Sequence, residues 1–339
     1  MILPPIVIAN LGLRSRWARI VTLVLVVLAI FLVVVNGAFV DLISAVRLRD
    51  TGESTRAGLA AGGVFSLLAG AISSALLVTP SRYLPRWLPI DPESVLDMAA
   101  LAGVVLLIGN EIAFQLTTDA VAKVSTSAPL DRLDVIFGEL PLLLAALLGV
   151  GLFTRRSFPE ALDRLGLVRP RWWQIVLGLA AAGVFYLVSQ LGDELQRVVT
   201  PDLAHRLGAA TQHLYGGLSD PVGIAVIALS AGIAEEALFR GALQPRLGLI
   251  LVAVAFVAVH VQYGVSFDTL VVFVLGAGLG LIRKYTNTTT SAITHVGYNA
   301  LAGISVAGVL LAPAVAIEAV LLLVLAVAAF PAGRRLLQR

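Results

Sequence analysis

Glu235 and Glu236 stand side by side in an otherwise apolar stretch, Asp220–Arg240. A charge at membrane depth costs about 2.5–3.5 kcal/mol on insertion scales, so packing alone does not explain such a pair. Neighbouring carboxylates share a proton more readily than isolated ones, which suits a group that takes up and returns protons near neutrality. Glu236 and Arg240 are four residues apart on one helix face, the spacing of an ion pair. Glu235 then points about 100° away and is left for chemistry. Two later apolar runs each bring a histidine, Phe256-Val257-Ala258-Val259-His260 and His295-Val296-Gly297-Tyr298-Asn299. His295 and Asn299 lie one helical turn apart and aim two hydrogen-bonding groups the same way. The other two of the four histidines, His205 and His213, fall in the polar stretch Gly192–Ser219 and are read as surface residues.

A helix hairpin turning at Pro245–Gly248 would place Glu235 and His260 at one depth, about 18 Å from the turn. Pro245 strains that picture, since it is expected to kink or end the helix near Gly241. His295 would lie about 12 Å deep, close enough for tilt to bring the three together. Asn110, Glu111, Glu139 and Glu318 are isolated polar residues in other apolar runs, expected to serve as pairing partners. Gly276-Ala277-Gly278-Leu279-Gly280 has no strand before it, so close helix packing explains it better than phosphate binding.

The elements that must carry these residues are membrane helices. Of 339 residues, 58% are hydrophobic and 13% charged, about half the charge of a soluble domain. Several apolar runs exceed the roughly 18 residues that mark a span, and none alternates as a membrane strand would. The absence of cysteine excludes disulfides, iron–sulfur clusters and thiol catalysis. The net charge of +3 does not point to nucleic acid, because Lys and Arg occupy short segments between apolar runs. The fold class is therefore all-α, a polytopic transmembrane helix bundle of about ten spans, eight at the least. They are read as Ile20–Val40, Ala57–Val78, Val95–Leu116, Leu133–Phe153, Trp172–Leu191, Asp220–Arg240, Leu249–Tyr263, Phe267–Ile282, Ser291–Gly308 and Ala312–Phe330. The last two run together around Pro313.

Residues 1–153 form an N-terminal four-span region, 154–171 a basic linker, 172–330 a core, and 331–339 a basic tail. Lys and Arg concentrate in alternate loops that include the linker, so both termini and the turn at Pro245–Gly248 are expected in the cytoplasm of a multi-pass inner-membrane protein. The site is then expected nearer the cytoplasmic face. Trp17, Trp87, Trp172 and Trp173 fall at span ends, where interfacial anchors belong. The first span follows three arginines but is longer than a signal-peptide core, and no cleavage site follows it.

In order along the chain, Glu235-Glu236-x-x-x-Arg240, Phe256-x-x-x-His260 and His295-x-x-x-Asn299 resemble the CPBP family. That family holds the type II CAAX prenyl endopeptidases and their bacterial Abi, or bacteriocin-processing, relatives. The resemblance covers Asp220 to Gly308. It implies an intramembrane endopeptidase acting on a membrane-associated peptide or protein, with lipid as its other partner. Glu235 with His260 would polarise the attacking water. His295 and Asn299 would stabilise the oxyanion, and Glu236, Arg240 and Phe256 would support the site. Zn2+ is one way to run such a site, with Glu235, His260 and His295 as ligands. A metal-free glutamate–water mechanism uses the same residues as base and oxyanion hole. Val259 and Val261 crowd His260 where the family commonly has small residues, which alters the pocket. The competing class is a non-catalytic scaffold or ion-coupled transporter using the same charges. A transporter would spread polar pairs over both halves and show an internal repeat, whereas here the unusual residues cluster late.

Overall fold

Backbone polar groups that leave water must be satisfied within their own segment, and long apolar runs achieve this as helices. The computed structural model describes residues 3–46, 53–78 and 88–306. Among these residues there is no strand, only an isolated bridge between Leu152 and Arg156. The first half contains α1 (Leu3–Leu11), α2 (Arg16–Val46), α3 (Glu53–Val78), α4 (Val95–Thr117), α5 (Ala120–Ser125) and α6 (Arg132–Gly149). Then follow α7 (Phe158–Leu165), α8 (Trp172–Val199), α9 (Pro201–Tyr215) and α10 (Pro221–Glu235). A π-helical segment, Glu236–Leu243, joins α10 to α11 (Gln244–Leu247). The described chain closes with α12 (Leu249–Ala258), α13 (Phe267–Tyr285) and α14 (Thr288–Val306).

Five stretches among the described residues are long and apolar enough to cross a membrane: Arg16–Ile43, Ala57–Val78, Val95–Thr117, Trp172–Val199 and Pro221–Leu247. The all-helical membrane architecture stands, while the count of about ten is not reached on length and apolarity. The expected span Leu133–Phe153 ends earlier, at Gly149, and its helix carries Arg132, Asp134 and Glu139. The expected span Leu249–Tyr263 stops as a helix at Ala258. That leaves about 15 Å of α12, half of the roughly 30 Å hydrocarbon core. The span Ala312–Phe330, with Pro313 and Glu318, lies outside the described residues, as do Trp87 and the basic tail.

The helix ends gather into two groups. At one, the α9 end, Arg132 pairs with Asp220 at 2.9 Å and Arg206 pairs with Asp119. There the Leu130 amide donates to Leu214 O at 3.0 Å, and His213 Nε2 contacts Ser127 O at 2.8 Å. His205 and His213 are both exposed on this end. At the other, the α7 end, the expected linker is partly a packed helix. Glu160 caps Ser157 at its start, and Gly166 ends it in the left-handed conformation at φ 74°. Ala161 and Leu165 are fully buried against Ala146, Val150 and Ala237. The carbonyls of Leu165 and Gly166 then receive the hydroxyl and amide of Thr288, anchoring the start of α14.

Small residues let α14 come close to its neighbours. A Cβ added at Gly232 of α10 would lie 2.9 Å from the Val296 backbone nitrogen, and one at Gly297 would lie 2.8 Å from Ala182 of α8. α6 packs along α10 and the π-segment, so a helix expected with the N-terminal spans shares the wall of the core.

Candidate active site

The run Pro221–Leu247 does not break where Pro245 was expected to end it. It passes into the π-segment at Glu236, and Pro245 falls in the first turn of α11, where its missing N–H interrupts no ladder. π-turns widen a helix locally and are frequent at functional sites. Here the segment lets the helix continue to Leu247, which leaves Glu235 near the middle of the span. By helical rise it is about 21 Å from Pro221 and about 18 Å from Leu247.

Glu236 is fully buried and well supplied. Arg240 Nη1 lies 3.0 Å from its Oε1, the Ser291 hydroxyl donates to its Oε2, and His295 Nδ1 is 3.2 Å from its Oε1. Arg240 is itself buried, donates to Gly276 O at 3.0 Å, and lies 4.2 Å from the Phe256 ring centroid. Gln244, one turn on, donates to Gly280 O at 2.8 Å. The glycine-rich stretch of α13 thus serves close approach, as expected: a Cβ at Gly276 would sit 3.1 Å from Phe256.

Glu235 faces the other way. It is 7% exposed, and its Oε2 is buried without a hydrogen-bond partner. His295 Nε2 lies 3.9 Å from that oxygen and His260 Nε2 4.0 Å from it. The remaining hydrogen bonds fix which ring nitrogens face Glu235. His260 Nδ1 donates to Phe256 O at 2.7 Å, and His295 Nδ1 donates to Glu236. Both Nε2 atoms are therefore turned to the same carboxylate oxygen. His260 sits just past the tip of the short α12, in a loop pinned by Gln115 of α4, whose amide donates to Val261 O at 2.9 Å. Phe256 lies between the two imidazoles, with ring centroids 4.5 Å from His260 and 6.0 Å from His295.

These groups open into a cavity of about 450 Å³ that Asn299 also lines. Thus Glu235, His260, His295 and Asn299 come together, with Glu236, Arg240 and Phe256 behind them. The cavity also contains residues with no such expectation attached. Glu139 of α6, expected only to pair, lines it with a buried Oε2 that has no partner. Its burden as an acid within an apolar run was the signal that could have singled it out. Tyr215, the last residue of α9 and part of the polar stretch Gly192–Ser219, lines it too. Burial raises the Tyr215 phenol above its ordinary pKa, and the carboxylates of Glu235 and Glu139 push the same way. Nothing in the spacing of Tyr215-Gly216-Gly217 announced it.

The cavity's outer wall is made by Leu130, Tyr215, Leu218 and Ser219, all at the α9 end. The helix runs on past Arg240, so Glu235 falls near the middle of Pro221–Leu247 and not close to the linker-side turn, while the cavity extends towards the α9 end. A second cavity, about 490 Å³ and mainly apolar, runs between α4, α12 and α13 and reaches His260 from the side.

The donor types of Glu235, His260 and His295 are ones zinc accepts. However, among the described residues no three His, Asp or Glu side chains are arranged to hold a metal ion together.

The fold and site define a helical membrane protein with a buried Glu–His cluster near the middle of a long apolar helix. Residues 217–301 match the model of the Rce1-like type II CAAX prenyl endopeptidases, a family of peptidases consistent with the CPBP resemblance. The match contains the whole Glu–His–Asn constellation and leaves the first half of the chain unmatched. No curated protein and no solved structure matches the chain.

Proposed function

We propose that the chain is an intramembrane endopeptidase that hydrolyses peptide bonds of membrane-associated peptides or proteins by a glutamate–histidine-activated water. The observation that carries this reading is the convergence of two imidazole Nε2 atoms on the unpartnered Glu235 Oε2. Separations of 3.9 and 4.0 Å are too long for direct hydrogen bonds and leave room for a bridging water. Glu235 takes a proton from that water as its oxygen attacks the scissile carbonyl. The oxyanion that forms accepts hydrogen bonds from Asn299 and His295. The proton held by Glu235 then passes to the leaving amine, with His260 orienting the water. Glu236 and Arg240 hold His295 in place and fix its ring orientation.

The two cavities that meet at His260 support an amphiphilic substrate. The peptide would lie in the polar cavity beneath Tyr215, and its apolar portion would enter from the bilayer between α4 and α12. The test is purified full-length protein in detergent with a panel of labelled peptides, with and without a C-terminal lipid, each with and without chelator. Cleavage by the native chain, lost in Glu235→Gln and retained in chelator, is expected. Equal cleavage by the variant would remove Glu235 from its role. Chelator-sensitive activity restored by zinc would replace the metal-free mechanism.

A further inference from the structure

Behind the π-segment, away from Glu235, lies a larger cavity of about 740 Å³. Its wall is almost wholly apolar and is drawn from α1, α2, α4, α6 and the π-segment, including Ile6, Leu25, Gly103, Ala145 and Leu238. One charged side chain reaches it, Arg246, at the α7 end. Along α2 the wall extends from Thr22 to Leu32, about 15 Å of helix against a hydrocarbon core of about 30 Å. The cavity is therefore one leaflet deep. At Gly103 an added Cβ would touch nothing, so this wall is not closed by neighbouring protein.

Guanidinium groups surround the α7 end of this space. Arg246 pairs with Asp97 at 3.0 Å, and Arg155 donates to Asn10 at 2.7 Å, beside the lining residue Ala9. Burial, and then the nearby charges of Arg156, Arg246 and Arg14, pull Arg155 below the usual arginine range, with Asp97 opposing them. Arg164 is lowered by burial and by Arg246, Arg156 and Arg283, with Asp97 again the opposing acid. The Nε–H group of Arg155 is buried and has no acceptor. Several guanidinium groups thus face a single acid, Asp97, beside an apolar space.

We propose that this is a binding site for an anionic glycerophospholipid of the adjacent leaflet. One acyl chain fills the cavity between α1, α2, α4 and α6, and the phosphate is held by Arg14, Arg155 and Arg246. The site is separate from the peptidase reading and does not depend on it. Leu238, Ala242 and Leu243 place its wall on the back of the π-segment that carries Glu236 and Arg240.

Native mass spectrometry of the purified full chain tests this, with phosphatidylglycerol, phosphatidylcholine or inorganic phosphate added to the detergent solution. The native protein is expected to retain one phosphatidylglycerol about tenfold better than phosphatidylcholine, and to show no adduct with phosphate alone. Gly103→Phe adds bulk at a wall position where a Cβ meets nothing within 4 Å, and is expected to abolish retention at an unchanged melting temperature. Arg14→Gln combined with Arg155→Gln is expected to erase the preference for the anionic lipid. Equal retention of the two lipids by the native chain, or undiminished retention in Gly103→Phe, overturns the proposal. A phosphate adduct that survives Gly103→Phe also overturns it, as a free-anion site. These arms decide the matter even if the double arginine variant fails to fold.

Discussion

Glu236 is buried with three partners, whereas an oxygen of Glu235 beside it has none, and this split sets what each substitution should do. Glu235→Gln keeps the shape and removes the base, so folded yield is expected to hold while turnover falls about 10²–10⁴-fold. Arg240→Ala strands the Glu236 carboxylate in the bundle, a change of about 3–5 kcal/mol. It should lower the yield of folded protein far more than Glu235→Gln does, as size-exclusion profiles of the two would report. Equal yields would count against the structural role. His260→Ala and His295→Ala are each expected to be inactive. Combined with Glu235→Gln, their losses should be far from additive, because all three act on one water. Additive losses in a double-mutant cycle would mean that they do not share it. Sequence made these residues visible because ionisable groups in apolar helices are rare. It gave no sign of Tyr215, since a tyrosine ending a polar helix looks the same whether it covers a cavity or faces solvent.

At the scale of elements, the site depends on where α10, α12 and α14 stop and how closely they approach. Gly232→Val would press a side chain onto the Val296 backbone and push α14, with His295, away from Glu235. Overpacking of this kind is expected to cost about 1–3 kcal/mol, seen as a lower melting temperature in detergent. The α9 end should respond to acid. Asp119 is held below the usual carboxylate range by the Ala122 amide and then Arg206, and Asp220 by Arg132 and its own helix start. Carboxyls lowered in the folded state stabilise it above their unfolded values, near 4, and lose that contribution as pH falls through the folded ones. Hydrogen exchange in α9, which holds Arg206, should therefore rise below about pH 4, and less so in Asp119→Asn. Helical type was legible from unbroken apolar runs. The π-segment and the early end of α12 were not. Both are set by contacts from α7, α13 and α4, at Gly241 against Leu165, Arg240 against Gly276 O, and Gln115 against Val261 O. No periodicity within one segment encodes such contacts.

For the whole molecule, orientation and access are separate matters. The α7 end carries Arg14, Arg155, Arg156, Arg164, Arg169, Arg171, Arg246, Arg283 and Lys284, while the α9 end carries Lys123, Arg132, Arg197 and Arg206. On the positive-inside rule α7 is expected in the cytoplasm, with the α9 end of the polar cavity on the far side. With no native cysteine, Lys123→Cys is expected to react with an impermeant thiol reagent on intact cells and Arg169→Cys only after lysis. The reverse pattern would invert the molecule and its access. The short α12 carries a further consequence, in the mechanics of the bilayer. Beside it, exposed Ile250 and the flank of α12 offer lipid only half the apolar height that α4 or α8 offers. Acyl chains there must tilt or shorten, and the leaflets pinch toward His260. Such a dimple would bring headgroups and water sideways toward the cluster. In reconstituted bilayers of increasing chain length, the pinch grows more costly, so turnover should decline with thickness while binding of a water-soluble active-site ligand does not.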